Sequence, residues 1–437
     1  MKIRNDVFCL APWTHTYLSP QHERRLCCAS RESAQNFKQY IDTDAGTNQY
    51  NPVTLEKWWN SDHLKRVRRD MIEGRECSEC DVCNNKLLNT DVYRSYFNRL
   101  FGDKYEQLMS QTDADGTLHT LPVSFDYRFT NLCNFKCRQC GDMLSSAWET
   151  EEKIHNMWDP KEKPWMVAEV KQQIDKFTDE QIKHEFYQAI EDRRLEEVYW
   201  VGGEPLMWEE HWTAMKRVIE LDLGKQVYAR YNTNLSRVSF AGCNLYSDIL
   251  AHLRDWQVCA SIDGTGAIGE YIRTGLKWPT WLANFNEGLQ YAKHPRQMML
   301  DYTVTLPGLF EAKRMFDLSQ KLGVRLLTKI TFAFGSDIAM SPLFLPKHIL
   351  HPIVEDILNY TKPKATAHQQ PFIDVFENLL TRKTFEEEYT DFEQGRLQGK
   401  QRIIKLEQIR NDTYTMQDIL REHNEQAYNW WQSIRPN

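Results

Sequence analysis

The sequence has no apolar run of the ~18 residues that a membrane-spanning helix needs. Its start, Met1 to Cys9, lacks the apolar core of a secretory signal. Neither sign of charge is in large excess: 54 Lys and Arg stand against 61 Asp and Glu, a net −7. That balance argues against bulk nucleic-acid affinity and leaves room only for a local basic groove. There is no repeat of 20–50 residues and no long low-complexity tract, so solenoids and disordered arrays are excluded. Cysteine is absent after Cys259, which confines any metal chemistry to the first part of the chain. These absences leave a globular, cytoplasmic protein without membrane contact as the expectation, where cysteines serve metals more often than disulfides. At 437 residues, two or three units of about 150 residues each are expected.

What the sequence does have is cysteine in two groups. Cys133, Cys137 and Cys140 stand in a C-x3-C-x2-C spacing. Cys9, Cys27, Cys28, Cys77, Cys80 and Cys83 form the other group, and only Cys243 and Cys259 lie outside both. A tight trio of thiolates can hold an iron–sulfur cluster, which usually takes four, so one iron keeps an open position for a ligand. Zinc or buried thiols are the alternatives for the trio, although zinc usually wants a fourth ligand nearby. About 60 residues later comes Gly202-Gly203-Glu204-Pro205, at the end of a strand-like run. Its glycines let backbone approach a ligand closely, and its carboxylate can accept a charge-assisted hydrogen bond.

Residues 1–95 have little periodic core and one helix-like stretch, Leu55 to Ile72, and would gain from a metal staple. Lys65, Arg66, Arg68 and Arg69 on that stretch spread over more than one helix face and read as solvated, with a contact for an acidic partner as the alternative. Residues 96–120 read as a connecting helix and turn. From 121 to 335, strand-like runs at Val123–Phe129, Glu197–Val201, Gln226–Asn232, Gln257–Ile262, Met298–Leu306 and Val324–Phe332 alternate with helix-like stretches. This is the pattern of a parallel α/β sheet, open or closed, with chemistry at the carboxyl ends of its strands. Residues 336–437 read as mainly helical, with Trp430-Trp431 docking the tail.

Taken together, the trio and Gly202–Pro205 resemble the radical S-adenosylmethionine superfamily. The resemblance implies a partial (β/α)6 TIM-like barrel, a catalytic 4Fe-4S cluster on Cys133, Cys137 and Cys140, and S-adenosylmethionine on its open iron. It also implies reductive cleavage of that cofactor to a 5′-deoxyadenosyl radical, which abstracts a hydrogen atom from the substrate. Gly202, Gly203, Glu204 and Pro205 would contact the methionine amino group. Asn232-Thr233-Asn234 and Ser261, Asp263 would hold ribose and carboxylate, with Arg273 as a carboxylate partner. Gln139 departs from the superfamily, where an aromatic residue often precedes the last cysteine. Cys259 shares strand parity with Ser261 and Asp263, so it is a candidate hydrogen-atom donor or simply a buried thiol.

Phe8-Cys9, Cys27-Cys28, Cys77-Ser-Glu-Cys80-Asp-Val-Cys83 and Tyr93-Arg94 resemble the twitch form of the SPASM accessory domain. Here that domain would precede the barrel instead of following it. The resemblance implies a second, auxiliary 4Fe-4S cluster on Cys9, Cys28, Cys80 and Cys83, with Cys27 or Cys77 as replacements; structural zinc is the rival. Relatives of this type modify peptides or proteins, and some act on small molecules. The implied partners are a peptide or small-molecule substrate and a one-electron donor such as a flavodoxin or ferredoxin. The alternatives are modification of a small metabolite or nucleotide, and a non-catalytic iron–sulfur carrier or scaffold.

Overall fold

The computed structural model describes residues 6–31, 41–42, 49–50, 52–85, 92–331 and 335–435. The protein is α/β, built on a mostly parallel sheet of eight strands. Numbering only these, they are β1 His15–Leu18, β2 Arg24–Arg25, β3 Ser124–Tyr127, β4 Glu197–Trp200, β5 Tyr228–Thr233, β6 Asp255–Ile262, β7 Met298–Val304 and β8 Arg325–Ile330. All six strand-like runs of the alternating region form strands, the last residue of one run, Phe332, lying outside the described residues. By compactness the chain divides into two units. One is Met1–Leu132, Asp142–Tyr231 and Asp248–Trp256; the other is Cys133–Gly141, Asn232–Ser247 and Gln257–Asn437.

In the first unit, β1 pairs in parallel with β3, placing His15 opposite Ser124, and β2 returns antiparallel to β1. β3 pairs with β4 and β4 with β5, all parallel. The amino-terminal segment therefore extends the sheet, which its short, cysteine-rich sequence did not announce. The helix Asp62–Ile72 begins at Ser61, whose hydroxyl accepts from the Leu64 amide, and buries Leu64, Val67, Arg68 and Met71 on one face. This corrects the expectation of a solvated face for Arg68 alone; Arg69 is exposed and Lys65 and Arg66 are half-buried. Helical spacing puts Arg68 on the inner stripe, fully buried, where it donates to the Pro12 carbonyl and to Asn60 and lies 4.9 Å from the Trp59 ring.

In the second unit, β6, β7 and β8 are parallel neighbours, Ser261 opposite Asp301 and Thr303 opposite Lys329. β7 is buried along its whole length, as parallel strands covered on both faces are. Beyond β8 the chain is helical: Lys347–Thr361, Gln370–Thr381, Phe392–Arg410, Met416–His423 and Glu425–Ser433. Trp431 is buried and both Trp430 and Trp431 meet Phe344, at 5.2 and 6.3 Å between ring centres. Among the described residues, no helix is long and apolar enough to cross a membrane.

Candidate functional site

The cysteine trio lies in a loop of the second unit. Lys136 and Cys137 pair antiparallel with Thr274 and Arg273. The Arg138 amide donates to the Ile272 carbonyl at 2.8 Å and the Cys140 amide to Cys137 at 3.0 Å. Gly275, at φ +113°, admits this close approach: a Cβ there would come 2.7 Å from the Phe135 ring. Cys137 is buried, while Cys133 and Cys140 are half-buried. Burial pushes the Cys137 thiol up to about 12. Arg273, with Nη1 3.9 Å from its sulfur, pulls it down, Cys140 and Asp263 push it up, and Arg410 pulls it down.

Asp263 is the hub of this loop. Its Oδ1 accepts from Arg273 Nη2 and from the Thr303 amide, each at 3.0 Å, and its Oδ2 pairs with Arg273 Nε at 2.7 Å. Gln139 donates its side-chain amide to the same Oδ2. Asn234 donates to Asn134 at 2.9 Å and stands 3.9 Å from the Cys133 sulfur. Residues from three separate segments, 133–140, 232–234 and 261–273, thus meet through their side chains. Asn232 turns elsewhere, donating to Asp301 at 2.7 Å, and the Thr233 hydroxyl accepts from the Leu235 amide. Ser261 is half-buried on β6. Cys259, buried on the same strand, points its sulfur at Gln257 Oε1, 3.7 Å away.

Gly202–Pro205 lies in the first unit. Gly202 has φ +102°, and a Cβ there would press on the Arg128 side chain at 2.9 Å. A Cβ on Gly203 would strike the carbonyl of Leu132, the residue before Cys133 in the chain. The Glu204 amide donates to that same carbonyl at 2.7 Å. Buried Glu204 accepts from the Leu206 amide through Oε1, capping the turn Pro205–Met207.

Also in the first unit, an apolar cavity is lined by Cys9, Cys27, Cys80 and Cys83, together with Leu26, Met71, Tyr93 and Arg94. Cys28 is off its wall. It is adjacent to Cys27 but faces Tyr93, Asp126 and Arg128. Cys77 is buried with its sulfur 4.0 Å from the Val67 carbonyl. Burial raises the thiols of Cys27 and Cys80 well above the ordinary range. Cys28, Cys80 and Cys9 push Cys27 further; Cys9 and Cys77 push Cys80, and Arg94 opposes.

Two charged residues of the second unit were missed in the sequence. Buried Asp301 takes Lys329 Nζ at 2.8 Å besides Asn232. Arg138, between two cysteines of the trio, is 1% exposed. The available signal was a carboxylate inside the otherwise uncharged, largely apolar run Met298–Val304, and an arginine inside the cysteine spacing itself.

Both thiol groups suit iron–sulfur clusters in chemistry: soft sulfur donors, buried or half-buried, with Arg273 beside one and Arg94 beside the other. Among the described residues, no three His, Cys, Asp or Glu converge on one point as ligands of a single ion do. A cluster spreads its thiolates over separate irons and does not require that convergence. No protein-family model matches the chain, and no curated protein matches it.

Proposed function

We propose that the chain is a radical S-adenosylmethionine enzyme whose sheet is the core of a partial (β/α)6 barrel and whose substrate is a peptide or protein. The observation that carries this reading is the convergence around Cys137. Arg273 touches its sulfur, Asp263 holds Arg273, and the same carboxylate holds Gln139. These are the segments that the resemblance assigns to cluster and cofactor, and here their side chains are in contact.

Cys133, Cys137 and Cys140 would hold the cluster, and bound there with S-adenosylmethionine it supplies a 5′-deoxyadenosyl radical able to take a hydrogen atom from substrate. The residues of the chain do the rest. Arg273 stabilises Cys137 as the thiolate that a cluster needs. Asp263 keeps Arg273 charged and oriented, because a buried guanidinium without its anion is costly. Gln139, locked on Asp263, fills the position where relatives often carry an aromatic ring. Gly203 lets the turn after β4 pack directly on the backbone of residues 131–132. The thiols of Cys9, Cys27, Cys80 and Cys83 would hold the auxiliary cluster, losing their protons on metal binding, which at Cys27 and Cys80 works against the upward push of burial.

Electron paramagnetic resonance of the anaerobically reconstituted, dithionite-reduced protein tests this directly. A reduced-cluster signal that changes when S-adenosylmethionine is added, with no such change in Cys137→Ala, is the expected result. A signal indifferent to S-adenosylmethionine would favour an iron–sulfur carrier.

A further inference from the structure

The carboxyl-terminal region has no part in the reading above, yet it reaches the cysteine loop. Arg138 sits in the middle of the trio, one residue after Cys137 and two before Cys140. Its Nη1 donates to the Tyr271 carbonyl and, at 2.8 Å, to the Thr274 hydroxyl. Its guanidinium lies 3.8 Å from the Tyr271 ring centre, and its Nη2 pairs with the carboxylate of Asp412, 274 positions along the chain. The Tyr271 hydroxyl donates to Glu407 Oε1 at 2.7 Å, and Arg410 donates to Thr274 at 3.1 Å. Three residues of one short stretch, Glu407, Arg410 and Asp412, therefore grip the loop and the segment 271–274 that pairs with it.

The local structure explains how Asp412 gets there. The helix Phe392–Arg410 stops at Asn411, which takes the left-handed conformation at φ +51° and sends the chain back, so that the Asp412 amide donates to the Glu407 carbonyl at 3.0 Å. The helix itself is seated closely. At Gly399 a Cβ would come 2.8 Å from Ile338 and 3.2 Å from Ala339. Lys400 donates to the carbonyls of Trp431 and Ile434 at 2.7 and 3.0 Å.

We infer that the carboxyl-terminal helix is a brace that fixes the position of the cysteine loop, with Asp412 as the positioning residue acting through Arg138. As a device for holding cluster ligands, this rests on the reading of the trio given above. A buried guanidinium without its anion would be costly and would not hold the loop in one place; paired with Asp412 and laid on Tyr271, Arg138 sets the path of residues 137–140. The brace also brings the Arg410 charge toward Cys137.

Hydrogen–deuterium exchange on the full chain without iron tests the brace apart from the cluster. In Asp412→Ala, the amides of residues 133–141 should exchange about tenfold faster, the scale expected for losing one charge-assisted hydrogen bond. Asp412→Asn, still an acceptor, should restore part of the protection. Arg396→Ala, at a surface pair of the same helix, should change nothing in the loop. Should Asp412→Ala loosen the whole chain, Arg138→Lys decides, since lysine keeps the charge but cannot span the fork. After reconstitution, both loop variants should shift the cluster's midpoint potential or resonance signal. Loop exchange equal to wild type in the folded variants overturns the brace. Faster loop exchange together with wild-type protein that never forms a cluster would keep the brace and remove the reading of the trio.

Discussion

Cys27 and Cys28 are neighbours in the chain with opposite surroundings: one faces four-thiol company, the other a tyrosine and an ion pair. If the cavity thiols hold a four-iron cluster, Cys27→Ala lowers reconstituted iron from about eight to about four per chain, whereas Cys28→Ala leaves about eight. Equal loss from both would contradict the assignment, and bound zinc in the wild type would replace it. Asp263 makes a second residue-level test. Asp263→Ala strands buried Arg273 without its anion and should cost about 3–5 kcal/mol in urea unfolding; a change below about 1 kcal/mol would mean the pair contributes little. The cysteines and Gly202–Pro205 stand out in the sequence by identity and spacing, whereas Asp263 and Arg273 are candidates only through the family resemblance. Arg138 and Asp301 were not legible, since what they do depends on Asp412, Asn232 and Lys329, partners that only folding brings together.

At the scale of elements, the six parallel strands announced themselves as apolar runs bounded by turns, with helices between. β1 did not: four residues, all buried, offer no alternation to read. The crossover before β6 is not a regular α-helix but a π-turn Leu245–Ile249 and a 3-10 turn Leu250–His252. Arg68 shows the opposite failure, a charge whose helical position was readable and whose partners, the Pro12 and Gly116 carbonyls, were not. The turn after β4 carries its own prediction. Gly203→Val drives side-chain carbon into the Leu132 carbonyl and should destabilise by about 1–3 kcal/mol, read as a lower melting temperature. An unchanged melting temperature would show that the segment yields freely.

For the molecule as a whole, buried histidines set the response to acid. Burial lowers His15 from 6.5 to about 4, and His22 and His211 to about 3. All three are neutral when folded, and below about pH 6.5 the unfolded chain binds protons that the folded one refuses. Stability is therefore fully present above pH 6.5 and falls toward pH 4, by up to about 1.4 kcal/mol per pH unit for each histidine. Glu197 acts in the same direction: burial opposes its charge, but Arg230 and the hydrogen bonds from Ser124 and Tyr96 outweigh it and hold its pKa below the usual range. Asp126, Asp175 and Glu407, raised by burial, oppose them. Urea unfolding at pH 7.5, 6 and 5 should show the decline, and His22→Gln should flatten it; stability constant over that range would contradict the linkage. The central claim is the radical enzyme, and the most direct measurement of it is anaerobic reconstitution with iron and sulfide counted per chain, followed by a dithionite assay for 5′-deoxyadenosine. About eight irons with 5′-deoxyadenosine formed by wild type and none by Cys137→Ala is the predicted result. Full 5′-deoxyadenosine formation by Cys137→Ala, or a wild-type protein that takes up no iron at the trio, would contradict it.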